Sequence, residues 1–352
     1  MVKADLAVPD KNKDMKIIVP MAGRGSRLRP HSLTIPKPLI SVAGTPIVHQ
    51  LVQEITKVVD DPITDIAFIL GDPAFFGEEV VASLNILAQK LGAISHIFRQ
   101  LEPLGTGHAI MCASSLLEGP CIVAYADTLI SANLKLDPEA DAVIWVKQVN
   151  QPEAFGVVDL DSENRITNLI EKPKDFVSDL AVIGIYYFKR TELLKEALDK
   201  VVTQDLIPGQ EYQINQGILA MIESGVVFKT GKVTTWMDCG NPSATIETNT
   251  AMLQIKSDEG VKLINNSAII ESSSIISPCF IGKNVKIKNS IIGPGVSVGE
   301  GTVIENSNLK NCLIQNHSYL ENVQLKKGMI GNHVRYKGNS TFVSIGDYSE
   351  LN

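Results

Sequence analysis

At 352 residues, with 44% hydrophobic and 20% charged residues, the chain is long enough to build two cores and has a globular rather than a disordered composition. Its formal charge of −7 excludes the broadly basic surface that holds nucleic acid or anionic lipid. No stretch approaches the roughly 20 apolar residues of a membrane span, and the five cysteines (Cys112, Cys121, Cys239, Cys279, Cys312) lie far apart without a C-x-x-C pair, so neither a disulfide framework nor a zinc site is specified.

In chain order, residues 1–14 ("MVKADLAVPDKNKD") form a polar tail without the charged-then-apolar order of a leader, as expected of a cytoplasmic protein. From Met15 to about Val233 short apolar runs alternate with helical patterns. "MKIIVP" (15–20), "DIAFIL" (65–70), "ISHIFRQ" (94–100) and "CIVAYAD" (121–127) predict buried strands, while "PIVHQLVQEITKVV" and "HAIMCASSLL" carry apolar faces at a 3.6-residue period. This alternation predicts an α/β fold: a Rossmann-like, mainly parallel sheet flanked by helices. "DAVIWVKQV", "FGVVDLD" and "RITNLIEK" have no long helix between them and precede "AVIGIYYF", which predicts an antiparallel extension and hence a mixed sheet. Helical patterns return at 190–202, 213–224 and 243–256, and "SDEG" (257–260) closes a first domain, 15–257.

Residues 258–352 follow another grammar. Aliphatic residues recur at Ile264, Ile270, Ile276, Ile281, Ile287, Ile292, Val298, Ile304, Leu309, Ile314, Leu320, Leu325 and Ile330, five or six apart, with Gly, Asn, Ser and Pro between them. A fixed short period predicts a β-solenoid, here of roughly four coils ending near residue 337, whose last coil edges favour association. The run resembles the hexapeptide repeats of left-handed parallel β-helices.

Five segments carry candidate chemistry. In "PMAGRGSRLRPHSLTIPKPL" (20–39), Arg24, Arg27, Arg29 and Lys37 gather in a stretch without an acid from Met15 to Gln53. Gly23 and Gly25 permit φ > 0, so backbone N–H groups around Ala22, Gly23, Gly25 and Ser26 can form an anion nest, with Arg27 as a mobile charge and Lys37 held between two prolines. A plain basic loop is the alternative. In "RQLEPLGTGHAI", Gln100 offers one donor and one acceptor to a base edge, and Gly105 and Thr106 allow close backbone approach; a turn opening a helix reads equally well. Asp127 and Asp238 each end an apolar run and suit either a hard cation or a structural cap. Glu171 and Lys172 pair a carboxylate for sugar hydroxyls with a cation for phosphate, or form an exposed ion pair.

The first segment resembles the signature LAGGxGTRLxPxTxxxPKPL of the sugar-1-phosphate nucleotidylyltransferases. Pro20 and Met21 stand where the family has Leu and Ala, and Ser26 where it has Thr. The later marks follow in order through "WMDCGN", so the resemblance covers about residues 15–250. It implies a catalytic domain at 15–257 and a hexapeptide-repeat β-helix at 258–352. It also implies Mg²⁺ on Asp127 and Asp238, with Arg27 and Lys37 on the triphosphate and Ala22, Gly23, Gly25, Ser26, Gln100, Gly105 and Thr106 around the nucleotide. Gly156, Glu171, Lys172 and Val182 then line the sugar-phosphate site. The implied partners are a nucleoside triphosphate, a sugar 1-phosphate and further copies of the chain. Gln100 and its spacing favour a pyrimidine. Members that take N-acetylglucosamine place an Asn where this chain has Val182, and "AVIG" is closer to the thymidylyltransferases, so glucose 1-phosphate with UTP or dTTP is expected. Rival expectations are an acyltransferase in the β-helix with His317 as its base, a guanylyltransferase for mannose 1-phosphate, and a non-catalytic scaffold.

Overall fold

The computed structural model describes residues 14–59, 61–131, 136, 140–204, 210–340 and 342–351. Residues 1–13 of the expected tail lie outside the described residues.

β1 (Met15–Pro20) is the hub of the first half. Ile17, Ile18 and Val19 are fully buried, because helices cover both sheet faces and the strand can be apolar throughout. The β2 (Ser41–Val42) and β3 (Thr45–Pro46) hairpin leads into α1 (Ile47–Val58), whose Ile47, Leu51 and Ile55 repeat at helical spacing and pack into the core. β4 (Ile63–Leu70), α2 (Glu78–Lys90), β5 (Ile94–Arg99), α3 (Thr106–Met111) and β6 (Cys121–Ala124) follow. β1 pairs in parallel with both β4 and β6, and β4 with β5, so these strands end on one side of the sheet, where α/β folds place ligands.

After β7 (Thr128–Ser131) and β8 (Ala142–Gln148), the strands β9 (Gly156–Leu160), β10 (Ile166–Glu171) and β11 (Leu180–Phe188) make the antiparallel extension, with β11 against β6, β8 and β9. α4 (Thr191–Val202) and α5 (Ile214–Glu223) cover it, and β12 (Phe228–Lys232) adds to β8 in parallel. β13 (Thr235–Asp238) pairs with β7 in a separate small sheet. α6 (Pro242–Asp258) starts at Asn241, whose side-chain oxygen takes the Ala244 N–H at 3.0 Å.

Beyond α6 every strand pairing is parallel, each to the strand 15 to 17 residues later. This parallel β-helix is longer than expected. Its five-stranded wall, Cys279–Ile281, Val296–Val298, Cys312–Ile314, Gly328–Ile330 and Val343–Ile345, runs past residue 337, with Val334, Tyr336 and Ile345 filling the last coil in place of the regular aliphatic series. Both ends expose apolar side chains: Ile264, Ile270 and Ile276 on the first coil are 37%, 37% and 46% accessible, and Phe342, Tyr348 and Leu351 on the last are 49%, 71% and 42% accessible. One side of the last coil, at Ser344, Gly346 and Asp347, is packed against residues 30–34.

The β-helix is built into the first half. Leu313 and Met329 belong to the same buried cluster as β1 and α1. α6 lies between the two halves, which explains why it lacks a single apolar stripe: its buried Asn249 accepts the Ala43 N–H at 2.9 Å and the Ser297 hydroxyl at 2.7 Å through one oxygen. The Gly44 backbone lies so close to Phe280 that a Cβ there would come within 2.3 Å of the ring. All five cysteines are free thiols, and burial pushes Cys121, Cys239 and Cys312 up to about 12.

Candidate active site

The glycine loop emerges from β1 where Met21 still pairs with β4, its N–H on the Ile69 carbonyl at 2.9 Å. Only one of its glycines uses the left-handed region: Gly25, at φ +61°, where a Cβ would come 2.7 Å from that of Lys37. Gly23 is not in that region and faces open space. Arg24, Arg27 and Arg29 are exposed. The backbone closes into three short turns, Ser26–Leu28, His31–Leu33 and Lys37–Leu39, the last bracketed by Pro36 and Pro38. Lys37 is thereby buried, its side chain 8% accessible, and its ammonium lies 3.2 Å from a carboxylate oxygen of Asp127.

The pairing of β7 with β13 brings the two candidate metal carboxylates together. Asp238 lies opposite Thr128, and the Cys239 N–H donates to the Asp127 carbonyl at 3.1 Å. Asp238 also takes the Gly240 N–H at 2.8 Å. Burial raises the pKa of its carboxyl, with Asp127 acting in the same direction and Lys37 and Arg27 opposing. Four charged groups from three distant segments therefore share one field. Two carboxylates are a hard-oxygen donor set suited to Mg²⁺, which takes few protein ligands and keeps several waters. Among the described residues no group of three or more His, Cys, Asp or Glu side chains forms a fuller cage, so phosphate oxygens and water would complete the shell.

In the segment expected to meet a base, Gln100 directly follows β5 and is buried. Its amide nitrogen is already committed, donating to the Gly105 carbonyl at 2.9 Å and to Nδ1 of His108 at 3.0 Å. The expected donor–acceptor pair is thus reduced: the amide oxygen is what Gln100 has left for a base. Thr106 is likewise engaged, its hydroxyl donating to Gln213 at 2.9 Å and accepting the Ile214 N–H at 3.0 Å. Gly105, at φ +106°, is enclosed; a Cβ would come 2.5 Å from the Tyr212 carbonyl.

Among the residues expected to meet a sugar, Gly156 and Glu171 face each other across β9 and β10, and a Cβ on Gly156 would come 2.9 Å from a Glu171 carboxylate oxygen. Lys172, at φ +45°, turns the chain at the strand end, 3.8 Å from Glu171, and both side chains are more than half accessible. Val182 is half-buried on β11, opposite Val146. Tyr125 links this group to Asp127: its N–H donates to the Gly184 carbonyl at 2.9 Å, and its ring edges onto Tyr186. After burial, the charges of both Asp127 and Glu171 push these two phenols upward. Phe155 packs edge-on against Trp236 with centroids 5.1 Å apart, fastening the start of the β9–β10 hairpin to the strand that carries Asp238.

Sequence reasoning passed over His108, Tyr125 and Trp236. Each sits inside a quoted segment, and the signal available was an aromatic or imidazole side chain next to the chosen polar residue. His317 stacks on His333, ring centroids 5.3 Å apart, on the exposed face of the β-helix, and it lines neither of two cavities, of about 110 and 240 Å³, found among the described residues. Among the described residues no helix is long and apolar enough to cross a membrane.

Residues 16–255 match the sequence profile of the family described as nucleotidyl transferase. A glucose-1-phosphate thymidylyltransferase of Streptomyces antibioticus is 29% identical over 96% of this chain and 99% of its own length. The bifunctional protein GlmU of Methanococcus maripaludis is 27% identical over 75% of this chain and 62% of its own length. A Bacillus anthracis crystal structure bearing the glucose-1-phosphate thymidylyltransferase name, in complex with sucrose, superposes with a TM-score of 0.57. It covers 67% of this chain and 94% of its own, and at 24% identity it speaks for the fold alone. With the profile spanning more than half of the sequence, this chain belongs to the nucleotidyl transferase family.

Proposed function

We propose that this protein joins a pyrimidine nucleoside triphosphate, UTP or dTTP, to glucose 1-phosphate, forming the NDP-sugar and pyrophosphate. The observation that carries the reading is the convergence of Lys37, Asp127 and Asp238 beside the arginine-bearing glycine loop.

In this scheme a sugar-phosphate oxygen attacks the α-phosphorus in line, the bond from that phosphorus to the bridging oxygen breaks, and pyrophosphate departs with the electron pair. No covalent enzyme intermediate is required, so the residues act by positioning and by neutralising charge. The loop amides and Arg27 hold the β- and γ-phosphates, Lys37 meets the α-phosphate, Lys172 meets the phosphate of the incoming sugar 1-phosphate, and Glu171 accepts from the sugar hydroxyls. Asp127 and Asp238 would hold Mg²⁺, which supplies positive charge to the phosphate oxygens when bound. The free amide oxygen of Gln100 suits the N3–H of uracil or thymine, a donor that cytosine lacks. The hydrophobic Val182 offers nothing to an N-acetyl group, which favours the unsubstituted sugar.

A pyrophosphate-release screen of UTP, dTTP, CTP, ATP and GTP against several sugar 1-phosphates tests the assignment. The highest kcat/KM is expected for glucose 1-phosphate with UTP or dTTP. A tenfold preference for GTP with mannose 1-phosphate, or for any N-acetylglucosamine 1-phosphate pair, would falsify it.

A further inference from the structure

The last coil of the β-helix reaches the phosphate loop. Asp347 accepts the Thr34 hydroxyl at 2.6 Å, and Ser344 shares a hydrogen bond of 3.0 Å with Nε2 of His31, both contacts across 313 residues. Between them Gly346 lies against Pro30, so close that a Cβ would come within 2.9 Å of the ring. The turn gripped in this way, residues 30–34, holds the glycine loop in turn: the buried Ser32 donates its hydroxyl to the Gly25 carbonyl at 2.7 Å. Gly25 packs on the Lys37 side chain, and Lys37 meets Asp127. A continuous line of contacts thus joins the end of the β-helix to the cation at the reaction centre.

Asp347 is well anchored for this task. Along one corner of the β-helix, Asn316 takes the Glu300 N–H at 2.9 Å, Asn332 takes the Asn316 N–H at 2.9 Å, and Asp347 takes the Asn332 N–H at 2.6 Å. Each rung holds the coil before it. In the last rung an Asp replaces the Asn, and the oxygen gained in place of an amide nitrogen is the one that accepts Thr34. The carboxylate is therefore fixed by the stacked coils before it meets the loop, as a positioning group must be.

We propose that Asp347 and Ser344 are positioning residues for the phosphate loop, holding Gly25 and Lys37 in register through Thr34, His31 and Ser32. The proposal rests on the reaction assigned above for its kinetic effect, but its structural effect is separately measurable.

The test uses the full chain with Thr34→Val, which removes the hydroxyl at nearly constant shape, Thr34→Ser, which keeps it, and Ser344→Ala, which acts from the β-helix side. Thr34→Val and Ser344→Ala should each lower kcat about tenfold, a size set by misplacement of charged groups. The sugar-phosphate KM and the unfolding midpoint should stay near those of the parent, and Thr34→Ser should restore the rate. In a Lys37→Met background the same changes should cost nothing further, because the group they position is gone. Hydrogen exchange of the 22–37 segment should quicken in Thr34→Val and Ser344→Ala while that of β1 does not. Unchanged exchange, parental kcat, or full multiplicative loss in the Lys37→Met background would overturn the proposal. A parent without pyrophosphate release, but with the expected change in exchange, would overturn the reaction and leave the grip standing.

Discussion

Lys37 and Asp127 are 90 residues apart in sequence and 3.2 Å apart in space, the cation almost enclosed and the carboxylate 46% accessible. The enclosed partner is fixed by two prolines and by Gly25, whereas the open one faces solvent. Lys37→Met should therefore lower kcat by about a hundredfold or more with a smaller rise in the triphosphate KM, since its charge is needed most as the α-phosphate becomes pentacovalent. Steady-state kinetics of both parameters checks this; a pure KM effect would move Lys37 to ground-state binding.

Asp127→Asn and Asp238→Asn should each remove most turnover and leave the fold intact. In the second case an Asn oxygen can still take the Gly240 N–H, so the local turn survives while the charge is lost. Thermal unfolding with and without Mg²⁺ plus nucleotide separates the outcomes: the variants should match the parent without ligand and lose its ligand-induced stabilisation.

Gly105→Ala should destabilise the protein by about 2 kcal/mol or more, because it adds left-handed strain to a Cβ placed 2.5 Å from the Tyr212 carbonyl. The nucleotide KM should rise with it, as Gly105 also receives the Gln100 amide. Chemical denaturation and UTP or dTTP saturation curves read the two effects.

Val182→Asn places an amide at a half-buried position of β11 that the proposed reaction puts beside the sugar. It should raise kcat/KM for N-acetylglucosamine 1-phosphate relative to glucose 1-phosphate by about tenfold, the scale of one added hydrogen bond at a site. A competition assay with both sugars and one triphosphate measures the ratio directly.

Acid should loosen the contact between the halves. Burial lowers the His31 pKa from 6.5 to about 4, with Asp347 pulling it partly back up. Between those values the unfolded chain binds a proton that the folded chain refuses, so stability is full above about pH 6.5 and falls as pH drops toward 4. The loss is at most about 3 kcal/mol. His31→Gln should flatten that part of the stability profile, measured by denaturant unfolding across the window.

The parts of the molecule that the sequence disclosed are those whose cause is local. The glycine loop, the bracketed Lys37 and the strand-end carboxylates are each determined by neighbours within a few residues, and the β-helix announces itself by repetition. The contact of Thr34 with Asp347 leaves no periodic or compositional trace, because two ordinary polar residues meet only after both halves have folded. The last coil was missed for a related reason: Tyr336 and Ile345 fill its core outside the aliphatic rhythm. The engagement of Gln100 with Gly105 and His108 was equally hidden, since residue type states what an amide can bond and not what has already claimed it.

The sharing of one core by Met15, Ile47, Leu313 and Met329 also bears on how the protein is made. A ribosome adding roughly 5–20 residues per second delivers Lys37 tens of seconds before Asp347. During that interval the nascent first half has no Leu313 or Met329 to complete its core and no coil to hold residues 30–34. A chain interrupted between Gly338 and Val343 would carry every charged group of the candidate site and the Leu313 and Met329 packing, and would lack only the Ser344, Gly346 and Asp347 contacts that grip residues 30–34.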